Sequence, residues 1–132
     1  MTIVSNNPGN IRFTGVQWDG LDDPPQDARN FCRFVTMSDG VRALAKVLLA
    51  YQDKHNLHTI REMITRLAPP SENNTGGYFA DVAHRMATGP DDPIDVHQAD
   101  VMGGMVAAIS WHETGQHIDA QVIADGVARA LA

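Results

Sequence analysis

From residue 38 onward, apolar residues recur at helical spacing along most of this chain. Val41, Leu44, Val47, Leu48 and Tyr51 follow a 3.6-residue period, which predicts a helix capped by Ser38 or Asp39 and ending near His55. Ile60, Met63, Ile64 and Leu67 predict a second helix over about residues 59–67, which Pro69-Pro70 stops. Tyr78, Phe79, Val82 and Met86 mark a third over about residues 75–87, with Asn73 or Asn74 available as its cap, before the break at Gly89-Pro90-Asp91-Asp92-Pro93. A fourth helix is expected over about residues 98–114. A fifth, over about 120–131, places Val122, Ile123, Val127 and Leu131 inward.

The first third of the chain reads differently. Residues 5–10 (Ser-Asn-Asn-Pro-Gly-Asn) are turn chemistry, and Ile11-Arg12-Phe13 and Phe31-Cys32-Arg33-Phe34 read as two short strands. The loop between them, residues 14–29, carries Trp18, Asp19, Asp22, Asp23 and Asp27 and is longer than a hairpin needs, as functional loops often are. The expected architecture is α+β, mainly α. It is one domain of about five helices (residues 38–132) with a small two-stranded β-lobe (about residues 10–35).

The fourth helix holds the sharpest chemical feature. Counting back from Glu113, Ile109 and Met105 lie one and two turns below it, with Met102 and Val106 beside them, so the carboxyl sits on the apolar face. Gly115 offers the helix stop. Partial desolvation and the negative end of the helix dipole both disfavour a charged carboxylate there, as a general acid requires. The ordinary alternative is a last-turn glutamate that bends out to solvent.

Composition narrows the partners. The 132 residues, 43% of them hydrophobic, suffice for one core without metal or disulfide staples. Sixteen acidic against ten basic residues give a formal net charge of −6, and no Lys/Arg cluster is suited to tracking a phosphate backbone, so nucleic acid is not an expected partner. Cys32 is the single cysteine and lies in an apolar run, where a buried structural thiol is the ordinary role. No apolar run reaches membrane-spanning length, and residues 1–9 show neither a basic segment nor a sustained apolar segment of a signal peptide. The expected site of synthesis is a cytoplasm. Action on a cell wall would then follow lysis, virion delivery or specialised secretion.

Three polar clusters stand at element boundaries: residues 6–10, residues 69–75 and residues 112–115. Amides, a few carboxylates and scattered aromatics suit a carbohydrate, whose hydroxyls would bond Asn and Thr and whose ring faces would stack on Trp18 or Tyr78. Each cluster also has a structural explanation, as turn, helix cap or packing. Metal is not expected. His112 and His117 resemble a zinc-protease pair but stand five residues apart, roughly 140° around a helix, and Gly115 intervenes. His55 and His58 lack nearby Cys or carboxylate ligands. No phosphate-binding Gly-rich loop and no nucleophile elbow is present, and no cofactor is expected.

Taken in order, Asn-Asn-Pro-Gly-Asn-Ile-Arg (6–12), Gly-Val-Arg-Ala (40–43), Ala-Pro-Pro-Ser-Glu-Asn-Asn-Thr-Gly-Gly-Tyr (68–78) and His-Glu-Thr-Gly (112–115) resemble a family of phage and prophage virion or structural proteins with a lysozyme-like fold. A more distant likeness is to bacterial peptidoglycan glucosaminidases and lytic transglycosylases. In those enzymes a first helix ends in a catalytic Glu followed by Gly, then come an Asn-rich turn, a β-lobe, helices and a Tyr-bearing segment over the cleft. Here that helix is absent from the front, and residues 98–115 would supply it near the other end as a circular permutation.

The resemblance implies cleavage of the β-1,4 glycan of peptidoglycan, with Glu113 protonating the glycosidic oxygen. Glu72 is a candidate second carboxylate, with Asp19, Asp22 and Asp23 as others; a lytic transglycosylase would need none. Asn7, Asn10, Trp18, Asn73, Thr75 and Tyr78 are the candidate substrate-binding residues, and His112 is expected only to flank the acid. Leu67 stands where relatives are expected to carry Trp, and Thr114 where they are expected to carry Asn. The expected partners are peptidoglycan glycan strands and virion or baseplate proteins. Two other functions compete with this one: a non-catalytic virion module that binds glycan or is purely structural, and a toxin delivered to competitors.

Overall fold

The computed structural model describes residues 5–132. Two antiparallel strands, β1 (Leu21–Gln26) and β2 (Cys32–Phe34), precede five helices: α1 (Met37–His55), α2 (Ile60–Leu67), α3 (Thr75–Arg85), α4 (Ala99–Thr114) and α5 (Ala120–Leu131). The fold class is α+β, mainly α, with five helices and one two-stranded sheet among the described residues.

The β-lobe departs from the sequence pattern. Ile11-Arg12-Phe13 does not form the first strand; Arg12 contributes only an isolated bridge to Phe31. The partner of β2 comes instead from within the expected loop, with Leu21 opposite Phe34 and Gln26 opposite Cys32 and an irregularity between. Leu21-Asp22-Asp23-Pro24-Pro25-Gln26 carries no β-branched residue, and prolines survive in a strand only at an edge or an irregular position, so its composition hides it. Cys32, Phe34 and Ala43 form a small core here, covered by Ile11, Phe13, Trp18 and Leu21.

The helices follow their apolar periods. Thr36, rather than Ser38 or Asp39, caps α1: its hydroxyl accepts from the Asp39 N–H and donates to the Asp39 carboxylate. The Asp39 carboxylate also accepts from Arg129 of α5. Thr59 caps α2, Asn74 caps α3 and Asp119 caps α5. α3 ends at Arg85, with Met86 as its C-cap. Met102, Met105, Val106 and Ile109 of α4 are fully buried in the main core, against Val41, Leu44 and Leu48 of α1, Ile60, Met63 and Ile64 of α2, and Tyr78 and Val82 of α3. Gly126 lets α5 reach α1, since a β-carbon there would lie 2.6 Å from a Val41 methyl.

A turn before the sheet is fastened to both layers. Asn6, with φ at 57°, donates its amide to the carbonyls of Phe34 and Val35, each at 3.1 Å. The Asn6 carbonyl sits directly over Gly40 in the first turn of α1. No helix among the described residues is long and apolar enough to cross a membrane.

Candidate functional site

Glu113 occupies the last turn of α4, half-buried, above Ile109 and Met105. Gly115 adopts φ 68° and its N–H closes on the Trp111 carbonyl at 2.7 Å, ending the helix where the chain must turn away. The carboxyl is held from two directions. Asn10 Nδ2 donates to Oε2 at 2.9 Å, and the Tyr78 hydroxyl donates to Oε1 at 2.8 Å. The first donor comes from the turn ahead of the β-lobe and the second from α3.

Local chemistry sets both donors. Asn10 has φ 49°, a left-handed conformation that asparagine tolerates better than most residues. Gly9, just before it, comes so close to Leu44 that a β-carbon would meet its Cδ1 at 2.8 Å. Tyr78 is 3% exposed. Burial pushes its phenol up from the ordinary value, and the Glu113 charge and hydrogen bond push it further, so it remains a protonated donor.

The cleft beside these groups encloses about 170 Å³ and is lined by Gly9, Asn10, Arg12, Phe31, Glu72 and Glu113, with Leu67, Ala68 and Asn73 at its edge. Glu72 is exposed there, in the turn between α2 and α3 that is closed by its own N–H to the Pro69 carbonyl at 3.0 Å. Asn73 donates its amide to the same carbonyl at 3.3 Å. Arg12 lies over the Phe31 ring, 5.1 Å from its centroid, and brings a cation to the lining of the cleft.

Other sequence candidates lie elsewhere. Asn7 is 1% exposed, and its amide is consumed by the backbone: it accepts from Ile11 N and donates to the carbonyls of Ile11 and Cys32. It braces the turn and does not reach the cleft. Thr75 is likewise buried, its hydroxyl donating to the Ala68 carbonyl at 2.5 Å to tie the start of α3 to the end of α2. Trp18 covers the small β-lobe core. Asp19 pairs with Arg42 and Asp22 with Arg33, and neither they nor Asp23 line this cleft. Leu67 lines the cleft with an aliphatic side chain in place of an aromatic one, and Thr114 turns inward to donate to the Ser110 carbonyl.

The structure gives His112, expected only to flank the acid, a defined place, and adds Asp81 and Arg85 beside it. The His112 ring stacks on Tyr78, with centroids 3.9 Å apart and planes 23° from parallel, and its Nδ1 lies 2.8 Å from Asp81 Oδ2. The other Asp81 oxygen accepts from Arg85 at 3.0 Å. Burial pushes the Asp81 carboxyl up, but the His112 hydrogen bond and the Arg85 charge outweigh it and hold Asp81 below the usual carboxylate range. The Asp81/Arg85 spacing is a visible i,i+4 pair, but nothing in sequence places His112 on Tyr78.

A wider groove of about 450 Å³ lies between the end of α3 and the outer face of α4, where Trp111 stacks on His117. It has no carboxylate in its lining. Polar groups converge in the smaller cleft, which makes it the candidate site. Among the described residues no group of three His, Cys, Asp or Glu side chains is placed to hold a metal ion.

Fold and site together define a small, mainly helical α+β protein in which one carboxyl is clamped between an asparagine turn and a tyrosine-bearing helix. Its sequence relates it to a phage protein: it is 38% identical over 84 residues to Protein P5 of Pseudoalteromonas phage PM2, an alignment covering 61% of this chain and 52% of that protein. The chain thus spans about half the length of the relative it matches. No protein-family model matches it.

Proposed function

We propose that the chain cleaves the glycan strands of peptidoglycan, with Glu113 as the general acid, on a circularly permuted lysozyme-like fold. The observation that carries this reading is the clamp on Glu113: each carboxyl oxygen accepts one hydrogen bond, from Asn10 or Tyr78, beside an open polar cleft. An ionised carboxyl offers about four lone-pair sites, so with two occupied by Asn10 and Tyr78 one of the others can hold the proton that passes to a glycosidic oxygen. Protonation of that oxygen lets the leaving sugar depart as the bond breaks, through an oxocarbenium-like transition state. Glu72, on the rim of the same cleft, is the candidate second carboxylate. In a transglycosylase a hydroxyl of the substrate itself would take its place. Asn10, Asn73 and Arg12 offer donors for sugar hydroxyls and the acetamido carbonyl.

The permutation reading draws support from the positions of the clamp: the acid comes from α4 and its first donor from the turn near residue 10. The phage relative supports a virion-associated role, with virion or baseplate proteins as further partners and delivery to the wall by lysis or by the particle. A second reading keeps the fold but not the reaction, as a virion module that holds glycan. Leu67 in place of an aromatic wall and the inward turn of Thr114 favour it, since both remove contacts to a sugar.

Glu113→Gln decides between them. On purified cell walls the first reading expects soluble muropeptides from the wild type and none from the variant, at an unchanged melting temperature. Mass spectrometry of the products then names the reaction, through a reducing muramic end, a reducing glucosamine end or an anhydro ring. Peptidoglycan pull-down by the wild type without any soluble product would establish the second reading instead.

A further inference from the structure

We infer that Asp81 and His112 are positioning residues that fix the Glu113 carboxyl through Tyr78. The inference deepens the reading of Glu113 as a working acid and rests on it. Tyr78 can aim its hydroxyl at Glu113 Oε1 only while its ring keeps one orientation, and one face of that ring is covered by the His112 imidazole at 3.9 Å. The imidazole is pinned in turn. Asp81 is an acceptor when ionised, so the 2.8 Å contact places a proton on His112 Nδ1 and fixes the plane of the ring. Arg85, on the opposite oxygen of Asp81, keeps that carboxylate from rotating away.

A plain helix-to-helix brace between α3 and α4 is the competing explanation, and exposure argues against it. The Asp81 and His112 side chains are 29% and 31% exposed, and ion pairs that wet contribute little stability. Apolar packing by Val82, Met105 and Ile109, all fully buried, already joins these helices. What the polar row adds is direction: Arg85, Asp81, His112, Tyr78 and Glu113 are linked in sequence by contacts that each constrain the next ring or carboxyl. A small misplacement of an acid costs rate far more than it costs stability.

The test reads Tyr78 and Glu113 directly. In a Tyr51→Phe background Tyr78 is the remaining tyrosine, and Glu62, Glu72 and Glu113 are the glutamates of the chain. With carbon-13 on the tyrosine Cζ and glutamate Cδ, and Glu113 assigned by its loss in Glu113→Gln, both resonances are followed in full-length variants. His112→Ala is expected to shift the Tyr78 and Glu113 signals together, and Asp81→Ala to shift both by less. Asp81→Asn, which can still accept from Nδ1, is expected to leave them near wild type. On cell walls, His112→Ala is expected to lower kcat about tenfold with KM unchanged, Asp81→Ala to lower it by less, and Asp81→Asn to keep most of the wild-type rate. His112→Phe serves if the alanine variant does not fold. Folded His112 variants whose Tyr78 and Glu113 signals match wild type would overturn the inference. A wild type with no glycan cleavage would instead overturn the proposed reaction, while the two resonances still decide whether the clamp exists.

Discussion

Gly40 lies beneath the carbonyl of Asn6 so closely that a β-carbon would sit 1.8 Å from that oxygen and 2.9 Å from Pro8 Cδ. The first obstacle is backbone, which cannot swing aside as a flexible side chain can. Gly40→Ala must therefore push the asparagine turn off α1, and with it Asn10. We expect a loss of about 3 kcal/mol or more, or no folded protein, by thermal or urea unfolding. Gly76→Ala is the matched control: a β-carbon there meets nothing within 4 Å, and the change in α3 is expected to be neutral or to stabilise by about 0.5 kcal/mol.

Asn10→Gly removes the amide that reaches Glu113 while accepting the left-handed backbone at φ 49°. The expected loss is about 1 kcal/mol of stability, with a fall in glycan cleavage well beyond that of the control Gly76→Ala. Asn10→Asp sets a second carboxylate against Glu113 and is expected to be the worse of the two. Melting curves and muropeptide release measured side by side separate the effects.

Tyr78→Phe keeps the ring and its stack on His112 but deletes the hydroxyl that donates to Glu113 Oε1. A drop of about 10- to 100-fold in kcat is expected, with little change in KM, because the lost bond orients the acid and does not hold substrate. An unchanged kcat in this variant, with the wild type active, counts against the clamp on Glu113 as part of the chemistry.

Acid stability should report Asp39. Burial raises its carboxyl, but the bonds from Arg129 and Thr36 and the Arg129 charge outweigh that and hold it below the ordinary carboxylate value. A group whose folded-state pKa is depressed stabilises fully above its unfolded value and loses that stabilisation as pH falls through the folded one. Wild type and Asp39→Asn should thus differ most above the ordinary carboxylate value, by about 2 kcal/mol, and converge as pH falls through the depressed folded-state value. Urea unfolding across that range measures the gap.

The helices were legible because each buries one stripe, and a stripe leaves its period in the sequence: Ile60, Met63, Ile64 and Leu67 mark α2 almost residue by residue. β1 was not legible, because Asp23-Pro24-Pro25 owes its place to β2 and the small core beside it, not to its own propensity. At the site, Glu113 could be read from the apolar rows beneath it and from Gly115. Asn7 and Thr75 carry the same donor chemistry as Asn10, yet they are consumed by the backbone, and only the path of the chain decides which amide faces in and which faces the cleft. His112 was hidden for a related reason. Its neighbours Tyr78 and Asp81 lie on another helix, and contacts of that kind leave no period.

The bond between Asn10 and Glu113 spans 103 positions of the chain. Closing so long a loop costs more entropy than forming any single helix, so the contact is expected to form after the intervening helices have packed. The two halves of the clamp are then expected to meet late, and a refolding protein should regain its helical circular dichroism before it regains the Tyr78 and Glu113 signals. For a protein whose proposed substrate is peptidoglycan, cleavage would then begin only with the finished fold.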